Sequence, residues 1–295
     1  MDGLQCGASV DEETEPEEPK VGDCCGEGCN PCVYDIYRES LKRFKAKRPN
    51  VISADSLGLD KIEFKPFRLT IITPQTKDTS IYRFESSESI SIKIGQHLEL
   101  LVPCQSENGV KEIVRKYSPI AWTDTSFDVI IKRYANGEAS KYFDKAEPGN
   151  VMSWRGPYGN FSYSKDEQEQ LVILCAGTGI APVIPIIRTI VENSEDETTI
   201  KLLCGSHTLE DRLLMDTLNE LKAFWNFVYT HYVTSNDGEA GWGEKVVRGR
   251  IQETDILNVI SASSKKSKVL ICGSDSFCDD MKETVRKTGA DFHCF

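Results

Sequence analysis

Long hydrophobic runs are missing from this chain. The longest, residues 180–187, falls well short of the roughly 20 apolar residues that span a bilayer, and Pro182 and Pro185 interrupt it. No secretory leader is expected either, since the first residues are acidic and have no apolar core segment. Asp2 stands where N-terminal myristoylation needs glycine. Basic charge is in deficit, with 35 Lys and Arg against 46 Asp and Glu and a net charge of −11. That balance gives nucleic-acid binding no support. There is no internal repeat. These absences predict a cytoplasmic chain, soluble or at most peripherally associated with a membrane-held partner, without a transmembrane segment.

What is present is enough for two cores, since 295 residues exceed an ordinary single domain. The negative charge is uneven. Asp2, Asp11, Glu12, Glu13, Glu15, Glu17 and Glu18 face only Lys20 within residues 1–20, which read as an acidic, disordered, solvated tail. The chain carries 11 cysteines. Without a leader, a disulfide framework is not expected. Cys104, Cys175 and Cys204 lie in apolar, strand-like runs and read as buried free thiols. Cys24, Cys25, Cys29 and Cys32 crowd together with glycines over 21–32.

Apolar residues at helical spacing then predict one helix over 33–47, ended by Pro49. Residues 49–60 read as linker. From 61 to 164 the signals are short strands over 69–72, 90–94, 98–102 and 127–132, punctuated by Pro74, Gly95, Asn108-Gly109 and Asn136-Gly137. Such a run predicts a small antiparallel barrel. From 165 to 295 strands and helices alternate. Strands are expected over 171–176, 199–204, 227–233 and 268–272, with helices over 181–193, 210–224, 254–261 and 275–287. That alternation predicts a doubly wound parallel sheet covered on both faces.

Four short motifs carry the chemistry. Arg115-Lys116-Tyr117-Ser118 lies on a predicted strand, so Arg115 and Tyr117 share a face. Gly137-Glu138-Ala139-Ser140 opens a short helix, where backbone N–H groups and a hydroxyl suit a phosphate. Gly177-Thr178-Gly179-Ile180-Ala181-Pro182 follows an apolar strand and precedes a helix, the setting of a phosphate-cradling turn. Pro182 takes the place of the third glycine. Cys272-Gly273-Ser274 ends the last long strand. Each alone has an ordinary reading: a surface Arg on a strand, a hairpin turn, a buried strand cysteine.

In this order, the four resemble the ferredoxin-reductase-type flavoproteins, and within them the NADH-cytochrome b5 reductases, over about residues 61–295. The resemblance implies a six-stranded antiparallel barrel holding FAD over 61–164 and an NADH-binding parallel sheet over 165–295. It also implies hydride transfer from NADH to FAD and single electrons to an acceptor such as cytochrome b5, a small haem protein. By resemblance, Arg115 pairs with the FAD pyrophosphate, Tyr117 packs on the flavin side and Ser118 hydrogen-bonds near its reacting nitrogen. Lys132 and Tyr134 match positions on the ribityl and nicotinamide side. Gly137, Glu138, Ala139 and Ser140 embrace the pyrophosphate, with Glu138 standing where Lys is common. Gly177, Thr178, Gly179 and Pro182 hold the nicotinamide nucleotide, and Cys272 and Gly273 lie near its reactive carbon. Ser118 and Cys272 are thus the catalytic candidates, and terminal Phe295 resembles the family's closing aromatic. Asp211 aligns with an acid that favours NADH over NADPH. Two alternatives stay open: the same fold reducing a quinone or ferric chelate, and a non-catalytic protein that has lost its cofactor.

Residues 21–48 resemble an "oxidoreductase-like" N-terminal module. Cys29-x-x-Cys32 has metal or redox spacing. Zinc held by Cys24, Cys25, Cys29 and Cys32, a redox dithiol, and neither role all remain open. The basic residues Lys42, Arg43, Lys45, Lys47 and Arg48 fit either a solvated helix end or a docking patch for an acidic partner.

Overall fold

The computed structural model describes residues 16–20, 23, 32–47, 58–106, 109–165, 167–241, 243–261 and 266–295. The chain divides into two units, 1–55 and 56–295. In the first, helix α1 (Val33–Lys47) forms where the helical spacing predicts it. Asp35 accepts from the Cys32 N–H at 3.0 Å and so caps the helix start. Cys24, Cys25 and Cys29 lie outside the described residues.

The second unit holds two sheets. The antiparallel sheet contains β1 (Lys65–Pro74), β2 (Thr79–Glu85), β3 (His97–Ser106), β4 (Gly109–Tyr117), β5 (Pro119–Trp122), β6 (Ser126–Lys132) and β7 (Val151–Tyr158), with α2 (Glu138–Phe143) after β6. The order is β4-β3-β7-β1-β2-β6-β5, seven strands rather than the expected six. The difference has a simple origin. The two edge strands, β4 and β5, are consecutive and separated only by Ser118. They are one run of chain that bends from pairing with β3 to pairing with β6, and Ser118 is the corner where the barrel closes. Phe67, Leu69, Phe84, Leu98, Leu100, Phe127 and Trp154 fill its interior.

The strand expected over 90–94 is not there. Ile90 and Ile92 do alternate inward and are buried. The ladder positions, however, belong to the other strands, and the segment makes isolated bonds such as Ile90 N–H to Asp124 O at 2.6 Å.

The parallel sheet contains β8 (Gln170–Ala176), β9 (Thr199–Ser206), β10 (Phe227–Val233), β11 (Val246–Arg248), β12 (Ser267–Cys272) and β13 (Asp291–Cys294). Its order is β11-β10-β9-β8-β12-β13. Helices α3 (Val183–Val191), α4 (Met215–Leu221), α5 (Glu253–Ser261) and α6 (Asp275–Thr288) complete it. Nearly continuous apolar strands such as β8 are what a sheet buried on both faces requires. Two features escape sequence reading. The helix expected over 210–224 begins only at Met215, because Leu214 takes a left-handed φ of 57°. Strands β11 and β13 are short edge pieces.

From β8 the chain winds outward through β9, β10 and β11, then returns to β8's other side with β12. The topological switch point lies there, and in open parallel sheets ligands bind outside the strand ends at that crevice. Ile120 of β5 and Ile130 of β6 share one apolar cluster with Ile184, Ile187 and Leu171 of the second lobe. The two sheets are therefore locked by a common core. Among the described residues no helix is long and apolar enough to cross a membrane.

Candidate active site

A cleft of about 750 Å³ opens between the barrel corner and the switch point. From the barrel it takes Arg115, Tyr117, Ser118, Lys132, Tyr134, Gly137, Glu138, Ala139 and Ser140; from the sheet it takes Thr178, Gly179, Pro182, Cys272 and Gly273. Residues far apart in sequence are thus gathered on one surface. Gly177, Asp211 and Phe295 are not on its lining.

On the barrel side, Arg115 and Tyr117 stand opposite Leu100 and Leu98 of β3. Arg115 is exposed, donates to the Val114 carbonyl at 2.9 Å, and has no carboxylate partner among the described residues. It is an uncommitted cation facing open space. Tyr117 packs edge-on against Phe143 and Trp154, with centroids 6.3 and 5.8 Å away. Burial pushes its phenol up to about 12, so the group stays neutral. Lys132 is held by Asp78 at 3.4 Å and lies 5.9 Å from the exposed ring of Tyr134.

Ser140 also makes a structural bond. Its hydroxyl oxygen accepts from the Tyr134 N–H at 2.7 Å, tying the turn before α2. A Cβ on Gly137 would fall 2.6 Å from that oxygen, so the turn needs glycine here. With six residues, α2 is too short for a full macrodipole. Its contribution is the first-turn N–H groups, which lack intrahelical acceptors.

On the sheet side, Gly177 has φ 54°, and the chain turns through a 3-10 helix (Gly177–Ile180) into α3. Gly179 passes directly over the end of β12: a Cβ there would lie 2.2 Å from the Cys272 carbonyl oxygen. Cys272 is half-buried, and burial pushes its thiol up to about 12. It is a neutral thiol near pH 7, not a thiolate nucleophile. Ser274 caps α6 by accepting from the Phe277 N–H at 3.3 Å. Phe295 packs edge-on against His293 and at a tilt against Phe161, with centroids 4.6 and 5.2 Å away. Its N–H bonds Ile271 O at 3.0 Å, which places the C-terminus beside Cys272.

Asp211 sits beyond the end of β9. Its carboxylate accepts from the Thr208 N–H at 3.2 Å, and Thr208 Oγ1 accepts from the Asp211 N–H at 3.1 Å. Lys77 of the barrel approaches it to 3.8 Å. Neither Lys77 nor the neighbouring pair Arg212–Glu244 carries a sequence signal, because the partners lie far apart in the chain. Among the described residues no group of three or more metal-ligating side chains converges.

Residues 66–163 match an oxidoreductase FAD-binding domain, 173–283 an oxidoreductase NAD-binding domain, and 7–52 an oxidoreductase-like N-terminal module. The chain is 32% identical to the mouse protein named "NADH-cytochrome b5 reductase-like", over 93% of this chain and 92% of that one. Its human namesake is 33% identical, over 94% and 92%. The chain belongs to the NADH-cytochrome b5 reductase-like family of FAD- and NAD-binding oxidoreductases. Its fold is that of the cytochrome b5 reductase domain of Ulva prolifera nitrate reductase, with TM-score 0.69 at 20% identity, covering 82% of this chain and 100% of that one. Family membership makes the cleft the place to look for redox chemistry. It also makes Glu138 a notable member of the lining, an acid inside a cleft suited to anions.

Proposed function

We propose that the chain is an NADH-dependent FAD oxidoreductase that delivers single electrons to a small haem protein of the cytochrome b5 type. The observation that carries this is the apposition, in one cleft, of Arg115, Ser118 and Gly137 from the barrel with Gly179 and Cys272 from the parallel sheet.

The residues present fit a flavin dinucleotide. Arg115 offers a guanidinium with no carboxylate partner among the described residues, the group best shaped for phosphate oxygens. Gly137, Glu138 and Ala139 line the same cleft, at the first turn of α2, where backbone N–H groups lack intrahelical acceptors. The Glu138 carboxylate opposes an anion there, so Arg115 would carry most of the attraction. Ser118, at the barrel corner, would present a hydroxyl to the ring, and Tyr117 an aromatic edge. Lys132, fixed by Asp78, would hold its charge near the ribityl end. When bound, FAD supplies the exchange between a two-electron donor and a one-electron acceptor.

For the nicotinamide nucleotide, the turn from Gly177 to Pro182 would take the pyrophosphate and Thr178 would bridge the two cofactors. The neutral thiol of Cys272 would sit by the reacting carbon without competing as a nucleophile. Phe295, backed by Phe161 and His293, would shield that edge from water. The proposed setting is the cytoplasm, where a membrane-held haem partner is within reach.

The test compares acceptors under saturating NADH. Ferric cytochrome b5, a short-chain quinone and ferricyanide are offered to the purified protein. The expected order puts cytochrome b5 well above the quinone, with ferricyanide reduced readily. Quinone reduction without cytochrome b5 reduction would replace the proposed acceptor. For the N-terminal cysteines we propose zinc held by Cys24, Cys25, Cys29 and Cys32. Metal analysis of protein made without chelators is expected to find about one zinc per chain, and background metal levels would remove that reading.

A further inference from the structure

A coenzyme 2′-phosphate seeks a guanidinium, and Arg212 is placed to supply one. It follows Asp211 in the turn after β9, at the strand end where the adenosine ribose of a bound dinucleotide lies in such sheets. Yet the structure ties Arg212 down. Its Nη1 donates to Glu244 Oε2 at 2.8 Å, and its Nε donates to the Leu209 carbonyl at 2.9 Å. Only 12% of the Arg212 side chain and 20% of that of Glu244 are exposed. Arg212 holds the Glu244 carboxyl below the usual range.

Glu244 is itself held in position. It accepts from the Gly241 N–H at 3.0 Å, and Lys222 donates to the Gly243 carbonyl at 2.9 Å. Arg248 donates to the carbonyls of Ser235, Asp237 and Gly238 at 2.8, 3.2 and 2.5 Å. The loop between β10 and β11 is thus clamped at several points, and its acid cannot swing away at little cost. A second cation near this turn, Lys77, has its own acid in Asp211 at 3.8 Å. Arg212 and Lys77 are thus each matched by a carboxylate.

We propose that Glu244 is a specificity-determining residue: by holding Arg212 buried and neutralised, it withholds from the nucleotide site the cation that would favour NADPH over NADH. The proposal rests on the reading of the parallel-sheet lobe as an NADH site. Asp211 acts by repelling a 2′-phosphate; Glu244 acts by withholding the charge that would attract one. An unpaired Arg at a strand end is worth more to a phosphate than one already bonded to a carboxylate.

Calorimetry with 5′-AMP and 2′,5′-ADP tests this, because the two probes differ only by the 2′-phosphate. Wild type is expected to bind 5′-AMP and to bind 2′,5′-ADP more weakly. Glu244→Gln and Glu244→Ala should each raise 2′,5′-ADP affinity by about fivefold or more, with 5′-AMP affinity changed by less than about twofold. Adding Arg212→Ala should abolish the gain. Arg212→Ala alone should leave the ratio where it was, because the guanidinium is already withheld. A gain that survives in the double variant, an unchanged ratio in both Glu244 variants, or a fall in 2′,5′-ADP affinity for Arg212→Ala alone would each overturn the proposal. If wild type binds neither 5′-AMP nor NADH, the nucleotide-site reading itself fails and the proposal falls with it.

Discussion

Gly179 meets the Cys272 carbonyl backbone to backbone, so closely that a Cβ on the glycine would fall 2.2 Å from the oxygen. The turn after β8 and the end of β12 are therefore one surface, and the crevice at the switch point depends on a missing side chain.

Gly179→Ala should force that surface apart. Overpacking of this kind costs about 1–3 kcal/mol, and the loss should show in urea unfolding together with weakened NADH binding. Gly177 is the informative contrast. It needs a left-handed φ of 54° but has no neighbour within 4 Å of a Cβ. Gly177→Asn, which tolerates that conformation, should unfold close to wild type. Equal stability for wild type and Gly179→Ala would show that the strand end can move aside.

Arg115→Ala should retain less FAD. The guanidinium is exposed and unpaired among the described residues, so the loss is that of charge-assisted hydrogen bonds, about 1.5–3 kcal/mol or at least tenfold in affinity. Arg115→Lys should recover part of it, because a point charge replaces a fork. Flavin remaining after dialysis reads this directly. Full retention by Arg115→Ala would move the phosphate contact elsewhere, with Lys116 and Lys132 the other cations on the cleft lining.

His97 gives the barrel a pH dependence. Burial, with the Lys116 charge as a lesser cause, holds its imidazole down to about 3. In the unfolded chain histidine titrates near 6.5. Between about 3 and 6.5 the unfolded chain therefore binds a proton that the folded chain refuses, so stability is full above 6.5 and falls as the pH drops through that window. His97→Gln removes the group and should flatten this part of the profile. Urea unfolding at stepped pH measures it, and superimposable slopes for wild type and variant would contradict the assignment.

Much of this architecture is written in the residues. Period-two runs before residue 164 and alternating strands and helices after it specify an antiparallel and then a parallel sheet, because burial on one face or two leaves different patterns. The cleft was legible through glycines and their neighbours, since close backbone approach leaves a mark in sequence. What stayed hidden depends on three-dimensional return. Ser118 joins two edge strands, which only sheet order reveals. Residues 90–94 alternate like a strand yet find no ladder partner. The turn at Leu214 shortens a helix whose apolar spacing starts earlier. Glu244 lies far from Arg212 in the chain, on a loop with no periodic signal, and no local reading could pair them.

The central claim is that this cleft takes hydride from NADH into a bound flavin. The visible absorption spectrum of the purified protein, followed by anaerobic addition of NADH, tests it most directly. The expected result is a yellow protein whose flavin bands bleach promptly with NADH. A colourless protein that takes up no FAD when supplied with it, or flavin bands that NADH leaves unchanged, would contradict the account.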